Sequence, residues 1–279
     1  MLVVVKPSRA KSTSAHIAWL KTQIACKKIS CDWFYTSGHY ELDVEKLRTL
    51  MCRHDLLVAI GGDGTINIAV NAIVGLDCQL AILPAGTGND FTRQFKRTTK
   101  QWRQSLFLDR TRSIDVGQVN QRYFINVMGL GYSAYVVKKI ERNETRHRFR
   151  YLWAGLSALL SYEGIIVQSA IDKTPQALMM LLFANGQYFA AGVCCSSNAS
   201  PDDGLLRCIQ FSPKTRWERV KVFLSMLFAR HKKQPSVYSR NLTRFDIITP
   251  GLDIEADGEI IGKTPAQVSI LHSAISLRV

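Results

Sequence analysis

With 279 residues, 47% of them hydrophobic and 21% charged, the chain has the composition of a folded globular protein and the length for one large domain or two smaller ones, which excludes the disordered and fibrous classes. Thirty-six Lys and Arg against 22 Asp and Glu give a net charge of +14, so a polyanion is favoured as partner, whether an anionic membrane, a nucleic acid or a nucleotide. Seven cysteines, an odd number without Cys-x-x-Cys spacing, point away from a disulfide framework or a zinc site and read as reduced, mostly buried thiols.

The start, Leu2–Val5 followed by Lys6 and Pro7, reads as a short buried strand. It has neither the basic segment nor the small-residue cleavage site of a secretory signal, so cytoplasm is the expected compartment. Further short apolar runs at 31–35, 55–60 and 79–83 alternate with helix-like stretches at 12–29, 44–52 and 65–74. That alternation predicts a parallel sheet with helices on its faces, whose ligands bind beyond the carboxyl ends of the strands.

Gly61-Gly62-Asp63-Gly64-Thr65 follows the apolar run 55–60 directly and opens a helical pattern of Ile66, Ala69, Ala72 and Ile73. Glycines at a strand-to-helix turn let a backbone approach a ligand closely, and the N–H groups at the helix start form an anion site. Asp63 either caps the turn or lies beside phosphates and orients a metal or a lysine. A second loop, Leu83-Pro84-Ala85-Gly86-Thr87-Gly88-Asn89-Asp90-Phe91, again follows an apolar run. Asn89 or Asp90 is either a helix N-cap or part of the other wall of one phosphate crevice.

From about Arg112 the pattern changes to short strand-like runs at 113–119, 122–127, 178–184, 205–211 and 245–249, punctuated by turn pairs such as Asn185-Gly186, Asp203-Gly204 and Pro250-Gly251. This predicts an antiparallel sandwich. Helical insertions are expected at 134–160, broken near Asn143, and at 215–231. The apolar runs at 177–184 and 156–160 fall far short of the roughly 20 residues that cross a bilayer. The segment 215–231 carries Val220, Phe223, Leu224, Leu227 and Phe228 at helical spacing among Arg216, Arg219, Lys221 and Arg230. It suits either a helix packed on its own sandwich or one lying on an anionic leaflet, to which the basic stretch 138–150 would add attraction. Asp257-Gly258-Glu259 is on its own a hairpin signal, and Asp202-Asp203-Gly204 a turn.

Together, Gly61 to Thr65, Leu83 to Phe91, Ile114-Asp115, Tyr123-Phe124-Ile125-Asn126 with Gly129 and Gly131, Asn185-Gly186, Asp203-Gly204-Leu205 and Asp257-Gly258-Glu259 resemble, in order and over essentially the whole length, the diacylglycerol kinase catalytic-domain family, with sphingosine and ceramide kinases as relatives. The resemblance implies an α/β ATP-binding domain at 1–111, a β-sandwich lipid-binding domain at 112–271 with the active site in the cleft between them, and a last strand at 272–279 returning to the first domain. It implies an ATP-dependent, Mg²⁺-requiring lipid kinase, cytoplasmic and peripherally bound to the inner face of the membrane, with diacylglycerol the first candidate acceptor. ATP contacts carry over to Thr36, Gly61, Gly62, Asp63, Gly64, Thr65, Ile66, Asn67 and Thr87. Glu259 becomes the general base, aided by Asp257 in orientation or at the catalytic metal. A structural Mg²⁺ site falls on Asp203 and the carbonyls of Ser200 and Leu205. Lys6-Pro7 departs from the family's Asn-Pro at the end of the first strand. A homodimer would suit the family. The rivals are an NAD kinase-like phosphotransferase, disfavoured by residues 83–91, and a basic nucleic-acid-binding module, for which no DNA-binding motif is present.

Overall fold

A computed structural model describes residues 1–8, 10–141, 159, 162–172 and 174–279. The chain divides into two compact units, Met1–Asp115 with Ser273–Val279, and Val116–His272.

In the first unit strands and helices alternate as β1 (Leu2–Val5), α1 (Lys11–Lys27), β2 (Asp32–Tyr35), α2 (Tyr40–Met51), β3 (Leu56–Gly61), α3 (Asp63–Ile73), β4 (Gln79–Pro84), α4 (Asp90–Arg93) and α5 (Thr99–Ser105). The strands pair in parallel in the order β2-β1-β3-β4. β1 and β3 are buried on both faces, which is why their sequences are continuous Val, Leu and Ile rather than alternating. Val3, Val5, Leu20, Val58, Ile60, Ala81, Leu83 and Leu106 pack into one core. Local signals set the helix ends. α1 stops at Lys28, whose left-handed backbone returns its N–H to the carbonyls of Ile24 and Ala25. α5 starts in a capping box between Thr98 and Gln101, and Arg48 reaches from α2 to the carbonyls of Ala72 and Val74, each at 3.0 Å, at the end of α3. Residues 276–277 pair in parallel with Gln79 and Leu80 of β4.

The next strands are β5 (Thr111–Val119), β6 (Arg122–Phe124) and β7 (Val127–Gly131). The run expected at 122–127 is thus two strands. Its break has a cause at a distance: the backbone N–H groups of Ile125, Asn126 and Val127 donate to the carboxylate of Asp257 at 2.8, 2.9 and 3.2 Å instead of to a neighbouring strand. After α6 (Tyr132–Glu141) come β8 (Ile165–Val167), β9 (Gln176–Leu178), β10 (Met180–Ala184), β11 (Tyr188–Phe189), β12 (Val193–Cys194), β13 (Leu206–Phe211), α7 (Arg216–Leu227), a 3₁₀ turn at His231–Lys233, β14 (Val237–Leu242), β15 (Arg244–Ile247), β16 (Asp253–Ala256), β17 (Glu259–Lys263) and β18 (Ala266–Arg278). The helix and the basic stretch expected beyond residue 141 lie outside the described residues. The helix expected to reach His231 ends at Leu227, because Ala229 turns left-handed at φ 54°.

The second unit is built on a six-stranded antiparallel sheet in the order β14-β13-β10-β7-β16-β17. One face, with Met128, Leu181, Phe183, Leu206 and Cys208, packs on Phe124, Phe245, Ile247, Ala266 and Val268, making the sandwich core. The other face, with Met180, Leu182, Ile209 and Phe211, is covered by Tyr132, Val222 and Met226 from α6 and α7. Both faces being covered explains the unbroken apolar run of β10. Among the described residues no helix is long and apolar enough to cross a membrane.

Candidate active site

In the first unit the two glycine loops touch. A Cβ at Gly62 would sit 2.9 Å from the Gly86 Cα, and one at Gly86 would sit 2.4 Å from the Gly62 Cα, so neither loop tolerates a side chain where the backbones meet. The Ala85 N–H donates to the Gly61 carbonyl at 2.8 Å, prolonging the β3–β4 register into the turns. Asn89, in left-handed conformation, accepts the Gly86 N–H on its side chain at 2.9 Å. Asp63 Oδ1 accepts the Phe91 N–H at 3.0 Å, so this carboxylate caps α4 across the loops rather than its own turn. From α1, Ser12 donates to the Ala85 carbonyl at 3.4 Å and His16 Nε2 lies 3.2 Å from the Pro84 carbonyl. Burial first, and then the nearby Arg103 guanidinium, hold His16 below the ordinary imidazole range. Arg103 donates to Nδ1, which leaves Nε2–H as the donor to the loop.

Thr65 is buried, and its hydroxyl has no hydrogen-bond partner among the described residues. Ile66 is fully buried, and its N–H is bonded to the Gly62 carbonyl, so it supports the loop from beneath. Gly64, in the first turn of α3, and Thr87, in the second loop, are exposed. Thr36 is buried after β2, its N–H on the Val5 carbonyl at 3.0 Å. The turn that follows is held by Asp43, which accepts from Ser37 and Gly38. Tyr40 in turn donates to Asn67 Oδ1 at 2.8 Å, and Asn71 donates to the same residue. Asp43 and Tyr40 of α2 thus tie the turn after Thr36 to Asn67 of α3, with Asn71 behind it, while His16 supports the second glycine loop, and none of these four showed in the sequence pattern.

Phosphate oxygens suit this surface. A glycine-only contact between two strand-to-helix turns admits a ligand against bare backbone, and the buried Thr65 hydroxyl lacks a partner that an oxyanion would supply.

The second unit presents an acidic turn. Asp257 and Gly258 both have positive φ, 49° and 89°, the requirement of a two-residue hairpin turn between β16 and β17. Asp257's carboxylate holds the β6–β7 junction as described above, which makes it an anchor of the turn. Glu259 is half-exposed and lies 3.2 Å from the Arg122 guanidinium. Glu255 is buried, with Oε1 accepting the Gly258 N–H at 2.7 Å. Burial pushes its carboxyl up to about 8, so it is protonated at neutral pH.

Before β13, Asp203 is ion-paired with Arg207 and accepts the Leu205 N–H at 3.1 Å. Ser200 donates to Asp202. Among the described residues no group of three or more His, Cys, Asp or Glu is placed to hold a metal ion. Arg207 and Glu255 escaped sequence reading, although each is a charged residue at a buried strand position.

The model of the diacylglycerol kinase catalytic domain matches residues 1–119, and that of the YegS C-terminal NAD kinase beta sandwich-like domain matches residues 126–279. The chain is 27% identical over 235 residues to proteins named diacylglycerol kinase from Mycobacterium tuberculosis strains CDC 1551 / Oshkosh and H37Rv, covering 80% of this chain and 76% of each relative. It superposes on a crystal structure of a diacylglycerol kinase from Bacillus anthracis str. Sterne with a TM-score of 0.72 at 18% identity, over 99% of this chain and 96% of that one, a likeness of fold. Two family models that together span nearly the whole length, over a fold and a pair of glycine loops that fit them, show that the chain belongs to the lipid-kinase family of the diacylglycerol kinase catalytic domain and its YegS-type C-terminal partner.

Proposed function

We propose that this protein is an ATP-dependent lipid kinase that transfers the γ-phosphoryl group to the hydroxyl of a membrane lipid, with diacylglycerol the first candidate and phosphatidic acid its product. The observation that carries the reading is the backbone contact of Gly62 with Gly86 beside the partnerless Thr65 hydroxyl. In this reading residues 1–111 with 272–279 form the nucleotide domain and 112–271 the lipid domain. Gly61 to Asn67 with Thr36 and Thr87 hold ATP, the backbone N–H groups of Asp63 and Gly64 at the start of α3 facing the phosphates. Mg²⁺ bound with the nucleotide would supply neutralisation of charge on the transferring group. The lipid oxygen attacks the γ-phosphorus in line, the bond to the β–γ bridging oxygen breaks, ADP leaves and the hydroxyl proton passes to the Glu259 carboxylate. Arg122 holds that carboxylate in place, and Asp257 fixes the turn that carries it.

Attachment to an anionic leaflet is supported by α7. Val222 and Met226 pack into the core, while Trp217 at 78% and Phe228 at 72% exposure, with Leu224, remain in solvent beside Arg216, Lys221 and Arg230. Aromatic side chains flanked by cations suit the headgroup boundary of a bilayer.

The test is transfer of phosphate from labelled ATP to a panel of diacylglycerol, ceramide, sphingosine, phosphatidylglycerol and NAD in mixed micelles, with products identified by mass. A phosphorylated lipid alcohol is expected. Phosphorylation of NAD alone would overturn the lipid reading.

A further inference from the structure

The loop at 198–205 is where the family resemblance puts a structural divalent cation, on Asp203 and the carbonyls of Ser200 and Leu205. In this chain a side chain stands there. Arg207, on β13 opposite Ala184 and Asn241, is 5% exposed. Its guanidinium is ion-paired with Asp203, donates to the Asn198 carbonyl at 3.1 Å and reaches the Leu205 carbonyl at 3.5 Å. Two of the three groups expected to face a metal thus already face a fixed cation. The other oxygen of Asp203 accepts the Leu205 N–H. A second cation stands on the same loop, because Lys232 donates to Ser196 at 3.2 Å and to the side chain of Asn198. Burial, offset by Cys194 but reinforced by the positive charge of Arg207, holds Lys232 below the ordinary range of a lysine.

We infer that the Arg207 guanidinium substitutes for the structural divalent cation, closing the 198–205 loop with an internal charge. The physical grounds are charge and ligand count. Arginine is charged at every accessible pH, and its planar fork matches a carboxylate with a neighbouring carbonyl. A buried guanidinium must be paired, and Asp203 is the carboxylate it is paired with. A Mg²⁺ or Ca²⁺ ion needs about six oxygen ligands, mostly anionic or carbonyl. Here it would have to share Asp203 with Arg207, while the neighbouring carboxylate of Asp202 is already bonded to Ser200, and sit close to two positive side chains. Arg207 therefore holds the turn between the 196–200 segment and β13 that a metal would otherwise hold. The metal that accompanies ATP is a separate matter.

The experiment uses the full chain without nucleotide. Thermal unfolding of the wild type and of Asp203→Asn is followed in EDTA, in about 5–10 mM Mg²⁺ and in about 5–10 mM Ca²⁺, several-fold above the weakest protein calcium dissociation constants of about 1 mM, at matched ionic strength. The quantity read is the part of the cation-induced Tm shift that depends on Asp203. It is expected to be zero within error, both proteins responding alike. A wild-type Tm that rises by several degrees with either cation, a rise lost in Asp203→Asn, would overturn the assignment. Arg207→Gln gives the converse: freed of the guanidinium, Asp203 and the loop carbonyls become available, and Mg²⁺ or Ca²⁺ restores part of the Tm lost in EDTA. Arg207→Lys, which keeps the charge, is expected to stay insensitive to both cations.

Discussion

Asp257 accepts the backbone N–H of Asn126 at 2.9 Å, and the same carboxylate takes those of Ile125 and Val127 on either side. All three donors belong to buried residues. Removing the carboxylate leaves three buried N–H groups to find other partners, each worth about 1–3 kcal/mol when unsatisfied. Asp257→Ala is therefore expected to destabilise the protein by about 3–5 kcal/mol, and Asp257→Asn, which keeps one acceptor oxygen, by less. Urea unfolding measures both. A loss below about 1 kcal/mol for the alanine variant would remove Asp257 from its anchoring role.

The glycine contact makes a steric prediction. A methyl group at residue 86 would lie 2.4 Å from the Gly62 Cα, backbone that has no rotamer to yield. Gly86→Ala is expected to push the loops apart, costing about 1–3 kcal/mol of stability and lowering ATP affinity at least tenfold by equilibrium dialysis. ATP affinity within twofold of the wild type would show that the contact is not part of the nucleotide site.

Glu255 sets a pH dependence. Its carboxyl is raised from 4.5 to about 8, first by burial and then by the charge of Asp257, with the Gly258 N–H pulling the other way and Ser133 facing it across Gly129. Between those values the folded chain holds a proton that the unfolded chain has released. The stability is complete below pH 4.5 and falls as pH rises toward 8, by at most about 1.4 kcal/mol per pH unit. Denaturant midpoints between pH 5 and 9 are expected to decline in the wild type and to flatten over that window in Glu255→Gln, which keeps an acceptor for Gly258. Parallel profiles for the two proteins would contradict this assignment.

Membrane attachment through α7 predicts that Trp217→Ala with Phe228→Ala weakens binding to anionic vesicles by about 10- to 100-fold, the scale of half-burying two aromatic side chains at the bilayer interface. The melting temperature should hardly change, since both residues are exposed. Co-sedimentation with phosphatidylserine-containing and neutral vesicles measures it, with release of the wild type as salt rises. Unchanged sedimentation of the double variant would move the contact surface elsewhere.

What was legible in the sequence depended on the range of the force involved. β1, β3 and β4 were readable because burial on both faces leaves a run of Leu, Val and Ile with little room for another residue type. The turns at Gly61-Gly62 and Gly86 were readable because close approach admits only glycine. The break between β6 and β7 was not, since its cause, Asp257, lies about 130 residues downstream. The β8–β9 and β11–β12 hairpins have strands of two or three residues, too few for a period to show. Ala229 ended α7 where no glycine or proline announced a stop. At the candidate site, Gly61, Gly62 and Asp63 were visible in the motif, whereas Tyr40, Arg122, Glu255 and Arg207 act through hydrogen-bond and ion-pair partners 3 to 137 residues away, pairings that the linear pattern does not display.

In the proposed reaction Glu259 accepts the proton of a lipid hydroxyl while ATP is held by the glycine loops. Glu259→Gln preserves shape and removes the acceptor. The direct measurement is kcat for phosphate transfer from ATP to diacylglycerol in mixed micelles, taken beside ATP affinity. The variant is expected to lose about 10²–10⁴-fold in kcat with ATP affinity unchanged within about twofold. An unchanged kcat/KM would contradict the account and return Asp257-Gly258-Glu259 to a plain hairpin, and a large loss of ATP affinity with kcat intact would make Glu259 a binding residue instead of a base.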